Sequence, residues 1–445
     1  MKKFTLFFAF FAFAFVVSAS NVELEKAAAV AQFLVEQKFD ANQIRGEELT
    51  LVFTAQNSLS TEVPVSYYVF NVGETGFIII AGNNVAHPIL GYSTQGKYDP
   101  ENLPPNFQAW MEDIANAITQ SVAKGILPTA EISEEWNVYL NKDVEYFEQT
   151  RGDRAVNPLI QTTWNQDNPY WNECPVYQGY NCYTGCVATA MAQLMKYYNY
   201  PTMGTGATPA YTTTTLGISI PSVSFNVNYN FSNMGGATPV TTEQQANVAK
   251  LMYLCGVSVK MDYTPSASSA SSHSVGNALT TYFGYDKAMS IEYKAYCSDT
   301  QWINMLKQEL DANRPVYYSG SLGSGHAFIC DGYNNSNQFH INWGWGGYLD
   351  GDYTVTPLAD FPNENSIYVG LKPDEGGTSA FQINLPYQTP NIDLTSPVTA
   401  VTRGESWASN VRFFNMGWSD FPGGTYAIGL FNTSGRLAGS NRNLQ

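Results

Sequence analysis

Cys186 is the residue whose type and surroundings best suit nucleophilic chemistry. It follows Gly185, and the apolar residues after it recur with helical period, so a helix is predicted to begin at the cysteine. A thiol at a helix N-terminus lies at the positive end of the helix dipole, which stabilises the thiolate. Cys186 is therefore the candidate nucleophile, although a cysteine buried in a helix's first turn would leave the same pattern. Cys182 is a competitor, but it lies in a polar loop and lacks the helix.

A thiolate nucleophile works with a neighbouring base, and the chain has four histidines. His326 follows Gly325 and opens an apolar run that predicts a buried strand; few ring orientations remain, so it is the candidate base. His340 lies one strand later and could be satisfied by backbone partners. His87 lies before a proposed cleavage point described below. His273 lies in a serine-rich loop, where a surface or substrate-facing role is expected.

Acyl transfer also requires donors for the developing oxyanion and groups that hold the imidazole. Gln166 lies upstream of the cysteine, where its side-chain amide could act beside the backbone N–H of Cys186, although a Gln in a loop is most often a solvated amide. Asn342 and Trp343 could orient and shield the imidazole. The same glycine-rich aromatic turn could instead pack the core, and that alternative stays open for Trp345.

The N-terminal part of the chain predicts a small α+β unit. Helical period runs from Val22 to about Lys38, and a further helix is predicted from about Asn106 to Ala123. Segments rich in β-branched and aromatic residues predict strands at 51–54, 65–71 and 76–81. The charged sequence that follows is expected to be irregular, and residues 147–155 show no apolar periodicity. Because Arg151 and Arg154 offer exposed cleavage points there, we place a domain boundary in this segment, an ordinary linker being the alternative.

The part that carries the candidate site predicts a helical half facing a sheet half. Helices are predicted from Cys186 to Tyr198 and from about Glu243 to Cys255, where Thr241 and Gln244 have the spacing of a capping box. Strands are predicted around 315–319, 327–330, 339–343 and 353–355.

The last part of the chain has a different pattern. Beyond about Pro373, alternating strands and turns, among them 410–415 and 425–431, predict a β-sandwich module. Its length of about 70 residues falls below the roughly 100 of an immunoglobulin-like domain, so the module is predicted to be incomplete.

The N-terminus predicts export. Lys2 and Lys3 precede an apolar run from Phe4 to Val17, and the small residues that end at Ala19 suit signal peptidase. The run is shorter than the roughly 20 residues of a membrane-spanning helix, and no later segment approaches that length. We therefore expect a secreted protein without a membrane span. The net charge of −16 argues against nucleic acid or an anionic membrane surface as a partner.

The six cysteines are too few for a scaffold built from disulfides. Cys174 and Cys182 are close enough in sequence to pair outside the cell, whereas Cys255 and Cys330 lie in apolar patterns and are expected in the core. With four histidines and no CxxC pair, the sequence predicts neither a metal site nor a cofactor.

Four motifs occur in the order seen in the streptopain family. They are Asn-Gln-Asp-Asn-Pro-Tyr around Gln166, Thr-Gly-Cys-Val-Ala-Thr-Ala around Cys186, Gly-His-Ala-Phe at His326 and Asn-Trp-Gly-Trp-Gly-Gly from Asn342. The chain thus resembles these papain-like cysteine peptidases, and residues 76–82 and 89–94 resemble their inhibitory prosegment. The resemblance implies a zymogen with Cys186 and His326 as catalytic pair and Gln166 as oxyanion donor. It places Asn342 and Trp343 at the family's third-position motif.

These observations combine into one prediction of fold and function. The α+β chain divides into a signal peptide (1–19), an inhibitory propeptide domain (20–154), a papain-like peptidase domain (155–374) and a partial β-sandwich module (375–445). The predicted protein is a secreted cysteine endopeptidase that hydrolyses extracellular proteins or peptides through a thiolate–imidazolium pair and a thioester, with its own prosegment as inhibitor. One alternative is acyl transfer to an amine, against which the prosegment argues. Another is an inactive papain-like scaffold that serves as a secreted adhesin.

Overall fold

The computed structural model describes residues 19–42, 44, 46–56, 62–151, 154–320, 325–359 and 364–378, together with six short strands beyond residue 382. Its N-terminal unit, residues 19–151, contains four helices and four strands in the described part. In chain order these are α1 (Leu24–Lys38), β1 (Leu49–Gln56), β2 (Val65–Val72), β3 (Gly76–Ala81), β4 (Ile89–Ser93), α2 (Pro105–Ala123), α3 (Ala130–Leu140) and α4 (Val144–Arg151).

The second unit, residues 154–378, carries Cys186 and His326. Its first half is mainly helical, with β5 (Arg154–Val156), β6 (Val176–Tyr177), β7 (Tyr180–Asn181), α5 (Cys186–Tyr198), β8 (Tyr211–Thr212), β9 (Ser219–Ile220), α6 (Thr242–Ser258) and α7 (Ser274–Tyr282). Its second half supplies the sheet, with β10 (Ser290–Tyr293), α8 (Asp299–Asp311), β11 (Val316–Gly320), β12 (His326–Asn334), β13 (Gln338–Asn342), β14 (Gly351–Thr354) and β15 (Ser366–Val369). Short 3₁₀ turns lie at Phe231–Asn233 and Lys294–Tyr296.

One eleven-stranded sheet runs through both units. Its order is β1-β2-β3-β4-β14-β13-β12-β11-β15-β10, with β5 paired to β12, and every pairing among the described strands is antiparallel. The two units meet where β4 pairs with β14, through Asp352 opposite Tyr92 and Tyr353 opposite Gly91. The N-terminal unit therefore extends the sheet of the second unit.

The sheet separates two hydrophobic cores. Because successive side chains of a strand point to opposite faces, Phe328 and Cys330 of β12 join one core while Ala327 and Ile329 join the other. The first core also contains the apolar faces of α1, α2 and α3, so it is shared between the two units. The second core packs α5, α6 and α7 against the sheet. Cys255 and Cys330 are both buried, as the sequence predicted.

Local signals explain where the important helices begin. Gly185 precedes α5 with a φ of +85°, and a Cβ at this position would lie 2.8 Å from the end of the Met261 side chain. Glycine is therefore required for the sharp entry that makes Cys186 the first residue of the helix. α6 begins with the predicted capping box, in which Thr241 and Gln244 bond reciprocally to each other's backbone N–H.

The charged sequence before the predicted domain boundary is not irregular, and that expectation was wrong. α3 is capped by Thr129, which accepts a hydrogen bond from Ile132 N, and it buries Trp136 and Tyr139. α4 extends to Arg151, and β5 pairs with β12 soon after. The few apolar residues of these helices pack on α1. Because most of the other residues are charged, the helical periodicity of the apolar residues is not visible in the sequence. The boundary itself stays a prediction.

Other predictions concern residues that lie partly or wholly outside the described part of the chain. Residues 1–18 of the predicted signal peptide lie outside it. Beyond residue 378 the structure describes only β16 (Ile383–Asn384), β17 (Leu394–Thr395), β18 (Asn410–Val411), β19 (Phe414–Asn415), β20 (Gly429–Phe431) and β21 (Leu437–Ser440), which pair as β16–β19, β17–β18 and β20–β21. In the residues that the structure does describe, no helix is long and apolar enough to cross a membrane.

Candidate active site

Cys186 lies at the base of an open cleft. It is the first residue of α5 and is half-buried, and its thiol faces the backbone N–H of Ala327 at the start of β12. Burial raises the pKa of the Cys186 thiol, while the N–H groups of Ala327, Val187 and Cys186 itself act to lower it. The predicted position at a helix N-terminus is confirmed. Among the described residues, the groups that act on the pKa of this thiol include no cation that would hold it as thiolate.

His326 begins β12, one residue before Ala327, and is 3% exposed. Its Nε2 lies 2.9 Å from the carbonyl oxygen of Trp343, so this nitrogen carries the proton and donates. Its Nδ1 then accepts from the side-chain amide of Asn106, with 2.9 Å between Nδ2 and Nδ1. Burial lowers the pKa of His326 to about 4, and the Trp343 hydrogen bond acts in the opposite direction. The imidazole is therefore neutral at pH 7.

The predicted thiolate–imidazolium pair is not formed in this arrangement. Within the described residues, no hydrogen bond joins Cys186 to His326, and the lone pair on Nδ1 is already taken by Asn106. Asn106 belongs to the first turn of α2 in the N-terminal unit. Phe107 and Trp110 hold that helix in place through edge-on ring contacts with Trp343, at 5.4 and 5.7 Å between ring centres.

Two tryptophans fix the plane of the His326 ring. Trp345 stacks on it with ring centres 4.6 Å apart and an interplanar angle of 19°, and Trp343 lies parallel to Trp345 within 2°. Trp345 packs against the first core, as the alternative had it, and its ring also lies on the candidate base and lines the cleft. Sequence reasoning also missed Asn106, whose contact with His326 spans 220 residues and leaves no local pattern.

Gln166 lines the same cleft as Cys186 and His326. Its backbone is fixed from both sides, since its N–H donates to the Asn165 side chain and its carbonyl accepts from Thr184 N. The cleft has a volume of about 760 Å³, and the serine-rich segment 266–273 forms one wall. The structure thus brings together the thiol, the imidazole and the amide that the sequence singled out.

Asn342 is kept apart from His326. Its Nδ2 donates to the carbonyl of Thr162, and its Oδ1 accepts from Gly344 N and from the Gln193 side chain. These contacts tie the segment after β5 to α5 and to the turn that follows β13. Trp343 is the member of the predicted third-position motif that contacts His326, and it does so through its backbone carbonyl.

The other histidines have separate partners. His87 pairs with Glu135 inside the N-terminal unit, and His273 contacts the hydroxyl of Tyr293 at the edge of the cleft. His340 bonds to the Asp331 carboxylate at 2.6 Å, so the expectation of backbone partners was wrong. The Cys174 and Cys182 thiols are both free and buried in this structure.

Comparisons with known proteins agree with this geometry. Residues 164–353 match the model described as the peptidase C10 family, and residues 19–118 match the model described as Spi protease inhibitor. Streptopain of Streptococcus pyogenes is 33% identical over 347 residues, which cover 69% of this chain and 80% of streptopain. Thiol protease/hemagglutinin PrtT of Porphyromonas gingivalis is 32% identical over 324 residues, 71% of this chain, which spans 36% of that protein's length.

A solved structure shares the architecture. The chain superposes on a fragment of Prevotella intermedia prointerpain A with a TM-score of 0.60 and 28% sequence identity, covering 74% of this chain and 100% of the fragment. Everything after residue 153 makes up less than 74% of the chain, so the superposition includes part of the N-terminal unit.

Proposed function

Because the chain belongs to the peptidase C10 family, we propose that it is a secreted cysteine endopeptidase made as a zymogen, with Cys186 as nucleophile and His326 as general base. One juxtaposition supports these roles above all others. Cys186, Gln166 and His326 line one cleft, and the N-terminal unit places Asn106 on the imidazole nitrogen that would accept the thiol proton.

The proposed reaction begins when Asn106 leaves the cleft. Nδ1 of His326 then takes the proton of Cys186, and the thiolate attacks the carbonyl carbon of a peptide bond. The Gln166 amide and the Cys186 N–H donate to the oxyanion. The imidazolium protonates the departing amine as the C–N bond breaks, and water, deprotonated by His326, hydrolyses the thioester.

The N-terminal unit is proposed to inhibit in two ways. The Asn106 amide occupies the lone pair of the base. In addition, α2 points its N-terminus at His326, and the positive end of a helix dipole disfavours an imidazolium. We therefore assign residues 20–154 as the inhibitory prosegment and 155–374 as the peptidase domain, with processing between 151 and 155. Residues 1–19 are proposed as the signal peptide that directs secretion.

The substrates are proposed to be extended segments of extracellular proteins. The cleft is open, and its serine-rich wall offers hydroxyl and backbone groups rather than a closed pocket. The adhesin alternative has no support from the cleft, because an inactive scaffold has no need to keep the thiol, the imidazole and the amide together.

The test is mass spectrometry of the purified precursor over time, under reducing conditions and with denatured casein added. Cys186→Ala is compared with wild type and with Cys297→Ala, which removes another half-buried thiol away from the cleft. Wild type and Cys297→Ala should lose the N-terminal unit near residues 151–155 and degrade casein, whereas Cys186→Ala should do neither. If all three stay inert after another protease has removed the N-terminal unit, the peptidase proposal is wrong.

A further inference from the structure

A main-chain carbonyl holds the His326 ring at its Nε2 atom. In the described structure its Nε2 donates to the carbonyl of Trp343, and the neighbouring side chain that could have taken this role, Asn342, bonds to Thr162 and Gly344. The orientation of the base therefore depends on the position of the Trp343 residue. A group that fixes this residue would act on the imidazole indirectly.

The Asp350 carboxylate fixes Trp343 through the N–H of the preceding peptide group. Its Oδ1 accepts from Trp343 N at 2.8 Å, although the two residues are seven positions apart in the sequence. The following peptide group, which carries the Trp343 carbonyl, is held by Asn342 Oδ1, which accepts from Gly344 N. The intervening turn closes on itself because Gly344, Gly346 and Gly347 all adopt positive φ, between +71° and +89°, which residues with a Cβ adopt only under strain. The ionised carboxylate makes the bond from Trp343 N charge-assisted, shorter and stronger than a bond between neutral groups.

A second imidazole supports the charge of Asp350. His340 on β13 lies beside it and is paired with Asp331 of β12, whose other oxygen accepts from Ile160 N. Burial raises the pKa of Asp350 to about 7, and the Trp343 N–H and His340 act to lower it while Asp331 acts to raise it. Asp352 and Tyr353 of β14, Cys330 of β12 and Tyr197 of α5 are further titratable groups that face this cluster.

We propose that Asp350 is a positioning residue for the peptidase reaction. Its carboxylate holds the Trp343 residue so that the Trp343 carbonyl keeps the proton of His326 on Nε2 and leaves Nδ1 directed toward Cys186. Asp350 thus performs, through the main chain, the task that a directly bonded carboxylate or amide performs in a catalytic triad. The inference rests on the proposed function.

The kinetic test uses the processed enzyme. Asp350→Asn removes the charge but keeps an acceptor, Asp350→Ala removes both, and Asp352→Asn removes one charge from the same cluster without a bond to Trp343. We expect kcat on a peptide substrate to fall roughly tenfold to a hundredfold for the Asp350 variants, more for Ala than for Asn, with KM within about twofold. The pH profile of kcat/KM should lose a step near the pKa of Asp350 in these variants alone.

A second measurement reports on the imidazole without turnover and in the precursor, where the N-terminal unit supports the fold. In a Cys186→Ala background, ¹⁵N-histidine NMR should show His326 as the Nε2–H tautomer, and Asp350→Ala should shift it toward a mixture of tautomers while Asp352→Asn leaves it unchanged. The inference is overturned if Asp350→Ala keeps both the wild-type tautomer and a kcat within about twofold of the Asp352→Asn control. If wild type itself lacks activity, the proposed function fails instead, and the NMR result still decides the role of Asp350.

Discussion

His326 and His340 lie on neighbouring strands of one sheet but in opposite electrostatic surroundings. Burial lowers the pKa of His326 to about 4, since its partners are a carbonyl, an amide and two indole rings. Burial also acts to lower the pKa of His340, yet the carboxylates of Asp331, Asp352 and Asp350 raise it to about 9. The comparison teaches that the partners of a buried imidazole, rather than its burial, decide whether it is charged. The candidate base is kept neutral while the N-terminal unit is attached, and the second imidazole is charged throughout.

The largest expected effect is a difference in activity between variants of the two histidines. His326→Gln should lower kcat/KM of the processed enzyme by about 10³-fold or more, because it removes the proposed acceptor of the thiol proton. His340→Gln should cost roughly tenfold, since it acts only through Asp350. Steady-state hydrolysis of a fluorogenic peptide measures both. Equal losses in the two variants would contradict the assignment of separate roles.

A smaller effect concerns the pH dependence of stability, measured by urea unfolding of the Cys186→Ala precursor. The depressed pKa of His326 contributes stability that is present above pH 6.5 and lost as pH falls through 4, up to about 3 kcal/mol. The raised pKa of His340 contributes stability that is present below pH 6.5 and lost as pH rises through 9, again up to about 3 kcal/mol.

Each histidine variant should therefore flatten one side of the stability curve. His326→Gln should remove the loss on the acid side, and His340→Gln should remove the loss on the alkaline side, while other titrating groups are common to the proteins compared. If each variant flattened the opposite side, or neither changed the curve, the assigned charge states would be wrong.

The smallest effect tests what keeps His326 neutral. Asn106→Ala removes a hydrogen bond of about 1 kcal/mol, so the unprocessed precursor should gain roughly fivefold in the rate at which iodoacetamide alkylates Cys186. Asn116→Ala, at an exposed position on the same helix, is the matched control. An unchanged alkylation rate in Asn106→Ala would show that the hydrogen bond to Nδ1 does not prevent His326 from accepting the Cys186 proton.

The sequence predicted those parts of the site that depend on local patterns. The start of α5 at Cys186, the capping box of α6 and the buried strand after Gly325 all follow from residues close in the chain. The α+β class followed from the same patterns. Gln166 was a candidate from its place upstream of Cys186, and the family motifs then implied its role as oxyanion donor.

The rest depends on contacts between distant residues. Asn106 meets His326 only because Phe107 and Trp110 bring α2 onto the sheet, and a single sequence carries no signal for such packing. Asp350 reaches Trp343 only through a turn with three glycines in positive φ. α3 and α4 were missed because their few apolar residues are diluted by charged ones. Contacts between residues that are distant in the sequence form only when the core assembles. The composition and hydrophobic periodicity of a segment predict only individual helices and strands.

The joint between β4 and β14 has a consequence for the solubility of the processed enzyme. In the strand order β14 lies between β4 and β13, so loss of the N-terminal unit would leave β14 as a free sheet edge. Free edges invite pairing with other chains, and proteins limit this risk by keeping edges short and charged. β14 has four residues and carries Asp352 at its centre. After the N-terminal unit has been removed, β14 is therefore poorly suited to pair with other chains and aggregate.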